Sequence, residues 1–119
     1  MVRAIRGATT AENTRESILD AAREMIEEII SKNDLKIEDL VCIMFSLTPD
    51  LNAVFPAVAV RELGICNVPL MDYAQPDVQN ALKGCVRVMI LTNSDKSLDD
   101  MHHVYLRGAK VLRPDLADK

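Results

Sequence analysis

The chain has 119 residues, a formal net charge of −4, and an apolar content of 49% with only 3% aromatic residues. This length suits one domain with its own core, so we expect residues 1–119 to form a single domain. The acidic balance without a basic run argues against a nucleic-acid partner. No apolar run approaches the roughly 20 residues that a membrane span needs.

Three cysteines, Cys42, Cys66 and Cys85, lie far apart and form no C-x-x-C pair. This spacing favours reduced thiols in the core over disulfides or a metal site. The N-terminus "MVRAIRGATT" also lacks the apolar segment of a signal peptide, which indicates a cytoplasmic protein.

The first third of the chain predicts a strand followed by a long helix. Residues 2–6 alternate between two faces, and Gly7 is expected to end this strand. Asn13 and Glu16 have the spacing of a capping box, and apolar residues then recur at helical spacing over 14–32. Glu28 and Lys32 are predicted to pair on the wet face of this helix.

The middle of the chain predicts a second strand and a short helix. The apolar run 40–48 has strand length and is typical of a strand covered on both sides, with Pro49 stopping it. Pro56 at a first helical position and Gly64 at a C-cap predict a helix of about two turns that carries Arg61.

Three further strands are predicted. In the strand over 68–73, Leu70 and Asp72 share one face while Met71 and Tyr73 share the other, and Pro69 favours an edge or a strand start. Residues 84–91 form the fourth strand. Residues 103–112 form the fifth with a bulge at Gly108, and the tail 113–119 is expected to be mobile.

These elements predict an α+β fold in which a single five-stranded sheet packs on one long helix plus short helices. One long helix cannot cover both faces of such a sheet. The uncovered face is therefore expected to meet another subunit.

Arg87 stands within "GCVRVMIL", residues 84–91, which reads as a buried strand. A buried guanidinium without a partner costs several kcal/mol or more, so a partner is predicted. Arg6, Arg61 and Arg113 also lie on apolar or structured segments. Any one of them alone is explained by a salt bridge within the chain, but four in a net-acidic chain favour capture of a small di- or tricarboxylate.

Other chemistry finds little support in the sequence. The adjacent His102 and His103 point opposite ways on an extended chain, so they cannot easily chelate one ion. Met44, Met71 and Met89 are expected to fill gaps in the core. There is no Ser-His-Asp set, phosphate-binding glycine loop or nucleophile elbow, so neither a covalent intermediate nor a cofactor is expected.

Four stretches resemble the monofunctional, trimeric chorismate mutases of bacteria, the AroH class. They are "AIRGATT" at 4–10, "TPDLNAVFPAVAVRELG" at 48–64, "CVRVM" at 85–89 and "HVYLRGAKVLRPDL" at 103–116. The resemblance implies a mixed five-stranded sheet in a homotrimeric pseudo-barrel, with a site at each subunit interface. It also implies the rearrangement of chorismate to prephenate, on the route to phenylalanine and tyrosine.

This rearrangement is unimolecular and pericyclic, so it requires no nucleophile, general base, metal or cofactor. Catalysis then comes from holding the dicarboxylate in its reactive shape and from positive charge at the breaking ether oxygen. By resemblance, Arg87 contacts that oxygen and a carboxylate, Arg6 binds a carboxylate, and Tyr105 also contacts the substrate.

The resemblance assigns further residues to the substrate pocket. Leu112 matches part of its apolar wall, and Arg113 lies on a tail thought to close over it. Phe55, Ala57 and Arg61 match positions supplied by the neighbouring subunit. Leu70, Met71 and Asp72 match a contact segment, and Gln75 stands where the family has a glutamate beside the substrate hydroxyl.

Three positions depart from the family pattern. The family usually has a glutamate at Gln75, a small Cys- or Ser-like residue at Asp72 and a lysine at Val58. If Leu70 lines the pocket, Asp72 on the same strand face points toward the same ligand. Asp72 then either replaces the missing glutamate or repels a dianion. Two functions therefore stand: an active chorismate mutase, or a trimeric small-carboxylate-binding protein with a degenerate, non-catalytic site.

Overall fold

A computed structural model describes residues 1–117 of the chain. Its strands are Val2–Thr10 (β1), Leu40–Leu47 (β2), Leu70–Ala74 (β3), Cys85–Asn93 (β4) and Val104–Tyr105 (β5). Its α-helices are Arg15–Lys32 (α1), Ala57–Glu62 (α2) and Pro114–Ala117 (α3), with 3-10 turns at Ile37–Asp39, Leu98–Asp100 and Arg107–Leu112. The predicted α+β architecture is confirmed.

The five strands form one mixed sheet in the order β3-β2-β4-β1-β5. The central strand β4 runs antiparallel to both β1 and β2, whereas β3 is parallel to β2 and β5 is parallel to β1. Helix α1 covers one face with seven buried side chains: Ile18, Leu19, Ala21, Ala22, Met25, Ile26 and Ile29. The opposite face remains open within the described part of the chain.

Strand β2 is covered on one side only, so the prediction that both sides are covered is wrong for residues 1–117. Ile43 and Phe45 are buried under the helices, while Met44 and Ser46 stand half-buried on the open face. The unbroken apolar run of β2 suggested two covered faces. Met44 is apolar, but its own chain does not bury it fully.

Helix α1 begins one residue later than the sequence indicated. Thr14 is the N-cap, and its hydroxyl accepts a hydrogen bond from the Ser17 amide at 3.1 Å. Asn13 instead uses its Oδ1 to accept from the amides of Asn52 and Ala53. The predicted Glu28–Lys32 pair is confirmed at 3.5 Å.

Strand β1 continues through Gly7 to Thr10, so the predicted strand end is wrong. A Cβ at Gly7 would approach Ile29 Cδ1 to 2.8 Å and Val88 Cγ1 to 2.9 Å. The glycine is therefore needed because α1 crosses β1 closely there, and it does not break the strand. Helix α2 confirms the predicted short helix, with Pro56 just before it and Gly64 just after it at φ +84°.

The fifth strand is shorter than predicted, because the chain turns at Arg107, whose φ is +52°. Gly108 belongs to the 3-10 turn that follows and is not a strand bulge; its amide donates to Thr10 Oγ1 at 3.1 Å.

In the tail, Leu116 packs near Tyr105. The mobility expected for 113–119 stays a prediction, and residues 118 and 119 lie outside the described part.

The three cysteines differ in exposure. Cys85 is buried, Cys42 is half-buried, and Cys66 is exposed, so the expectation of a core thiol is wrong for Cys66. Within residues 1–117, no helix combines the length and apolar character needed to cross a membrane.

Candidate active site

A groove of about 460 Å³ lies on the open face of the sheet. This volume falls within the roughly 300–1,000 Å³ that is usual for small-molecule sites. Among the described residues, its lining contains no acidic side chain: Arg6, Gly7, Ala8, Met44, Phe45, Ser46, Tyr73, Arg87, Val88, Met89, Tyr105, Leu112 and Arg113. A groove of this composition suits an anionic ligand with apolar parts.

Arg6 and Arg87 occupy neighbouring strands on the same face. Ala8 pairs with Arg87 and Arg6 pairs with Met89, so the two arginines are diagonal neighbours across β1 and β4. Neither arginine takes part in the ion pairs that the structure shows within residues 1–117. Two guanidinium groups thus face the groove without a carboxylate to neutralise them.

Arg87 is exposed rather than buried, which corrects the reading of "GCVRVMIL". Its neighbours Val86 and Val88 are buried on the α1 side, and the strand alternation directs Arg87 to the open face. The sequence argument took a strand with one covered face for a fully buried one. The partner expected for the guanidinium is not a carboxylate of the described chain.

The backbone of Arg6 is positioned by a residue that the sequence argument set aside. The Arg6 amide donates to His103 Nδ1 at 2.9 Å. The neighbouring His102 is fixed by the buried Asn33 at the end of α1, whose side chain donates to the His102 carbonyl and accepts from the His102 amide at 2.7 Å. These contacts tie β1 and the approach to β5 to the end of α1.

Tyr105 lies beside β1, paired with Ala8, and is only 7% exposed. It packs with Ala8, Cys85 and Ala109 at one end of the groove. Burial raises the pKa of the Cys85 thiol above its usual 9.0, although the nearby Arg87 opposes this shift. The thiol is therefore neutral near pH 7 and does not compete with an anionic ligand for Arg87.

Leu112 and Arg113 border the groove, as the resemblance implied. Arg113 forms a two-point ion pair with Asp115, with Nε–Oδ1 at 3.1 Å and Nη2–Oδ2 at 3.0 Å. Hydrogen bonding to Asp115 raises the already high pKa of Arg113. Arg113 thus differs from Arg6 and Arg87, because its charge is already paired within the tail.

Five of the predicted residues lie away from the groove, around α2 and the edge strand β3. We call them the edge group: Phe55, Ala57, Arg61, Leu70 and Asp72. Phe55 is 69% exposed, and Arg61 borders a small cavity together with Leu70. Ala57 is buried at the start of α2. The groove of one chain therefore contains only part of the predicted set.

Leu70 and Asp72 do share a face of β3, but it is the face that packs toward the helices. Leu70 packs against the main core, and Asp72 Oδ1 accepts from the Ala57 amide at 3.2 Å. Burial raises the pKa of Asp72, opposed by this hydrogen bond and by Arg61. Within one chain, Asp72 therefore lies outside the groove that Arg87 lines, and its expected orientation toward the ligand stays a prediction.

Gln75 and Met71 also lie outside the groove lining. Gln75 borders a separate cavity with Asp50 and Lys83, and its buried Oε1 has no hydrogen-bond partner within residues 1–117. Met71 pairs with Met44 and is 54% exposed, so it does not fill a core gap in this chain.

Two polar residues of the groove lining, Tyr73 and Ser46, were not proposed from the sequence. The alternation of β3 had already assigned Tyr73 to the face opposite Asp72. The sequence does not show that Ser46 pairs with both Tyr73 and Arg87. This pairing identifies the Tyr73 face of β3 as the groove side.

Known proteins resemble this chain over nearly its whole length. The family model described as "Chorismate mutase type I" matches residues 2–116. Chorismate mutase AroH of Bacillus subtilis (strain 168) is 50% identical over 119 residues, covering 98% of this chain and 94% of that protein. Chorismate mutase AroH of Thermus thermophilus is 42% identical over 118 residues, covering 98% and 97%.

A solved structure agrees with these sequence matches. The chorismate mutase from Clostridium thermocellum superposes with a TM-score of 0.89 at 44% identity, covering 91% of this chain and 97% of that one. The sequence and fold comparisons thus agree on chorismate mutases. The chain belongs to the type I chorismate mutase family.

Proposed function

We propose that this chorismate mutase, an isomerase, converts chorismate to prephenate in the groove on the open face of its sheet. The observation that carries the proposal is the pair Arg6 and Arg87, which face a groove without an acidic lining residue in the described chain. The family match over residues 2–116 supplies the reaction. The same match supports a role in aromatic amino acid biosynthesis, and we propose the cytoplasm as its location.

The proposed mechanism uses position and charge alone. Arg6 binds one substrate carboxylate, while Arg87 binds a carboxylate and the ether oxygen, where negative charge grows as the C–O bond breaks. Because both arginines project from paired strands, their spacing is set before the substrate arrives. Binding then selects the compact conformer in which the two reacting carbons are close. Tyr105 contacts the substrate, and Leu112 and Arg113 border it.

We further propose a homotrimer in which the edge group of one subunit completes the groove of its neighbour. Phe55 and Arg61 are exposed in their own chain, and the open face of the sheet carries half-buried Met44 and Met89. Such apolar residues on an otherwise uncovered sheet favour burial against another copy. Asp72 and Leu70 would reach a substrate only across such an interface.

The non-catalytic alternative has lost its main support. It rested on the changed segment that contains Asp72 and Gln75, and Asp72 is not unpaired, since its Oδ1 accepts from the Ala57 amide. Gln75 does not favour it either, since an amide can still accept a hydrogen bond from a hydroxyl. Identity of 42% to 50% to two chorismate mutases favours the enzyme.

The decisive experiment adds chorismate to purified protein and follows the loss of its ultraviolet absorbance, with prephenate identified by chromatography. We expect turnover that is unaffected by a metal chelator. Arg87→Ala, prepared in parallel, controls for a contaminating mutase. An uncatalysed rate at high protein concentration would refute the proposal.

A further inference from the structure

The backbone of Arg6 lies at the point where the pairing of β1 with β5 begins. β1 pairs in parallel with the two residues of β5, and this register places His103, the residue before β5, opposite Arg6. Backbone groups of alternate residues in a strand point toward the same neighbouring strand. The Ala8 carbonyl accepts from the Leu106 amide on the β5 side, and the amide of Arg6, two residues earlier, also points to that side.

A side chain takes the place of the backbone acceptor expected for the Arg6 amide. If the parallel pairing continued by one residue, this amide would donate to the His102 carbonyl. That carbonyl accepts from the side chain of Asn33 at 2.9 Å, and Asn33 is only 2% exposed at the end of α1. The Arg6 amide donates to His103 Nδ1 at 2.9 Å. The imidazole thus extends the hydrogen bonding of the sheet by one residue.

The two groove arginines differ in how the sheet holds their backbones. Arg87 lies on the central strand β4, which pairs with β1 on one side and with β2 on the other. Arg6 pairs with Met89 on one side, whereas on the other side its amide is held by the His103 side chain. A fixed amide fixes the Cα from which the Arg6 guanidinium projects into the groove. A shift of about 1 Å in a substrate-binding group can cost on the order of a hundredfold in rate.

We propose that His103 is a positioning residue whose Nδ1 sets the Arg6 guanidinium for the substrate carboxylate. The inference rests on the proposed function of the groove, in which Arg6 binds that carboxylate. His103 is not among the described residues that line the groove, so it acts through Arg6 and not on the substrate. The acceptor at Nδ1 carries the role, because a backbone amide needs a lone pair at that place.

The test moves the acceptor by one bond. His103→Asn keeps an acceptor attached to Cγ, as Nδ1 is, whereas His103→Gln carries its acceptor one bond farther out, and His103→Leu removes it at similar size. We expect His103→Asn to keep the KM for chorismate within about threefold of the wild-type value. His103→Gln and His103→Leu should raise KM about tenfold, because the Arg6 amide loses its partner and the guanidinium shifts.

The division of the effect between KM and kcat separates this role from general damage. Arg6 binds the carboxylate in the substrate and in the transition state alike, so kcat should stay within about threefold of wild type in all three variants. Damage that spreads to Arg87 would instead lower kcat. A fall in kcat as large as the rise in KM would therefore overturn the proposal, and so would a normal KM in His103→Leu.

Two controls use residues beside the contact. His102→Leu removes an exposed imidazole one position earlier and leaves the backbone bonds to Asn33 in place, so KM and kcat should not change. In an Arg6→Ala background, His103→Leu should cause no further loss of kcat/KM, since the residue it positions is absent. An equal loss with and without the Arg6 side chain would overturn the proposal.

Binding of prephenate, measured by calorimetry, gives a readout that does not depend on turnover. Wild type and His103→Asn should bind prephenate with similar affinity, and His103→Gln and His103→Leu about tenfold more weakly. Wild-type protein that converts no chorismate would refute the proposed function, and the order of these affinities would then still decide the role of His103. If thermal unfolding shows that His103→Leu does not fold, the comparison of Asn with Gln carries the test. Equal prephenate affinities for those two variants would overturn the proposal.

Discussion

The groove and the edge group both contain residues that the family resemblance assigns to the substrate site. They differ in whether those residues share one cavity of the chain. In the groove, Arg6 and Arg87 project from adjacent strands in one cavity, with their charges unmatched within the described chain. In the edge group, Asp72 is hydrogen-bonded to the Ala57 amide, while the Phe55 side chain is exposed. The groove therefore contains one part of the predicted residue set, and the edge group contains another.

This contrast supports the proposal that each region is completed by the other region of a second copy. Within a chain, the groove faces the open side of the sheet, and Leu70 and Asp72 face the helix side of its edge strand. One flat sheet cannot direct both sets of side chains to one ligand, because alternate residues of a strand point to opposite faces. Changes in the two regions should therefore differ in size and in whether a partner subunit can rescue them.

The largest effect is expected from Arg87→Ala. Losing a preorganised positive charge that acts mainly in the transition state should lower kcat by on the order of a hundredfold or more. Because Arg87 is exposed and takes part in none of the ion pairs within residues 1–117, the unfolding temperature should stay near the wild-type value. Steady-state kinetics and thermal unfolding check both parts. Near-normal kcat would show that the ether-oxygen role is wrong.

The second prediction tests whether the two regions belong to one composite site. Arg61→Ala alone should reduce activity less than Arg87→Ala. When the two variants are denatured and refolded together, randomly mixed trimers should regain sites that pair an intact groove with an intact Arg61, about a quarter of the total. Activity of the mixture is compared with that of each variant refolded alone.

Light scattering on the same samples reports the assembly. A monomer at micromolar concentration would refute the composite site. Trimers whose mixture merely averages the two parents would mean that the groove and Arg61 act within one subunit.

The third prediction contrasts two glycines, one in each region. Gly7→Ala should destabilise the fold by about 1–3 kcal/mol, because the new methyl group would collide with Ile29 and Val88 behind the groove. Gly64 follows α2 and has a φ of +84°, and a Cβ added there would have no atom within 4 Å. The cost of Gly64→Ala should be about 1 kcal/mol from backbone strain alone. Urea unfolding of both variants tests the order, and a larger loss for Gly64→Ala would contradict it.

The smallest effects concern two carboxylates whose pKa values shift in opposite directions. Asp50 Oδ2 accepts from the Gly84 amide at 2.8 Å, just before β4, and a hydrogen bond from Thr48 is the main cause that lowers the pKa of Asp50 below 3.8. Its stabilisation is present above pH 3.8 and is lost as the pH falls through the folded-state pKa. Burial raises the pKa of Asp72, so its favourable contribution is present below pH 3.8 and is lost as the pH rises through the folded-state value.

At pH 7, Asp50→Asn should therefore lower the unfolding temperature, while Asp72→Asn should leave it unchanged or raise it. Both changes should stay below about 1 kcal/mol, since Asp50 is exposed and Asp72 is only half-buried. Thermal unfolding from pH 7 down to about pH 2 should show the Asp50→Asn difference shrinking in acid. A loss of stability in Asp72→Asn at pH 7 would mean that the hydrogen bond to Ala57 outweighs burial of the charge.

Much of the fold was predictable because local patterns agreed with the final structure. The helical spacing from Ile18 to Ile29 predicted α1, the apolar runs predicted β2 and β4, and Pro56 with Gly64 bracketed α2. Errors arose where a distant contact decided the local conformation. Gly7 was taken for a strand end, although it serves the close crossing of α1.

The candidate site likewise contains residues that the sequence predicted and residues that only the tertiary structure identifies. Arg6, Arg87, Tyr105, Leu112 and Arg113 were proposed from sequence and meet in one groove. Tyr73 and Ser46 were not, since their membership follows from the parallel pairing of β2 with β3 and the antiparallel pairing of β2 with β4. The spacing of residue types along one strand does not show which distant strand it pairs with.

The sequence by itself determined which residue types alternate along each strand, where α1 runs, and that four arginines lie on structured segments. Only the tertiary structure decided which face of each strand is open. Alternation separates two faces but does not say which one α1 will cover, because both faces of β2 and β4 carry apolar residues. Packing of α1 made that choice, and it directed Arg87 and Tyr73 into the groove while directing Asp72 to the amide of Ala57.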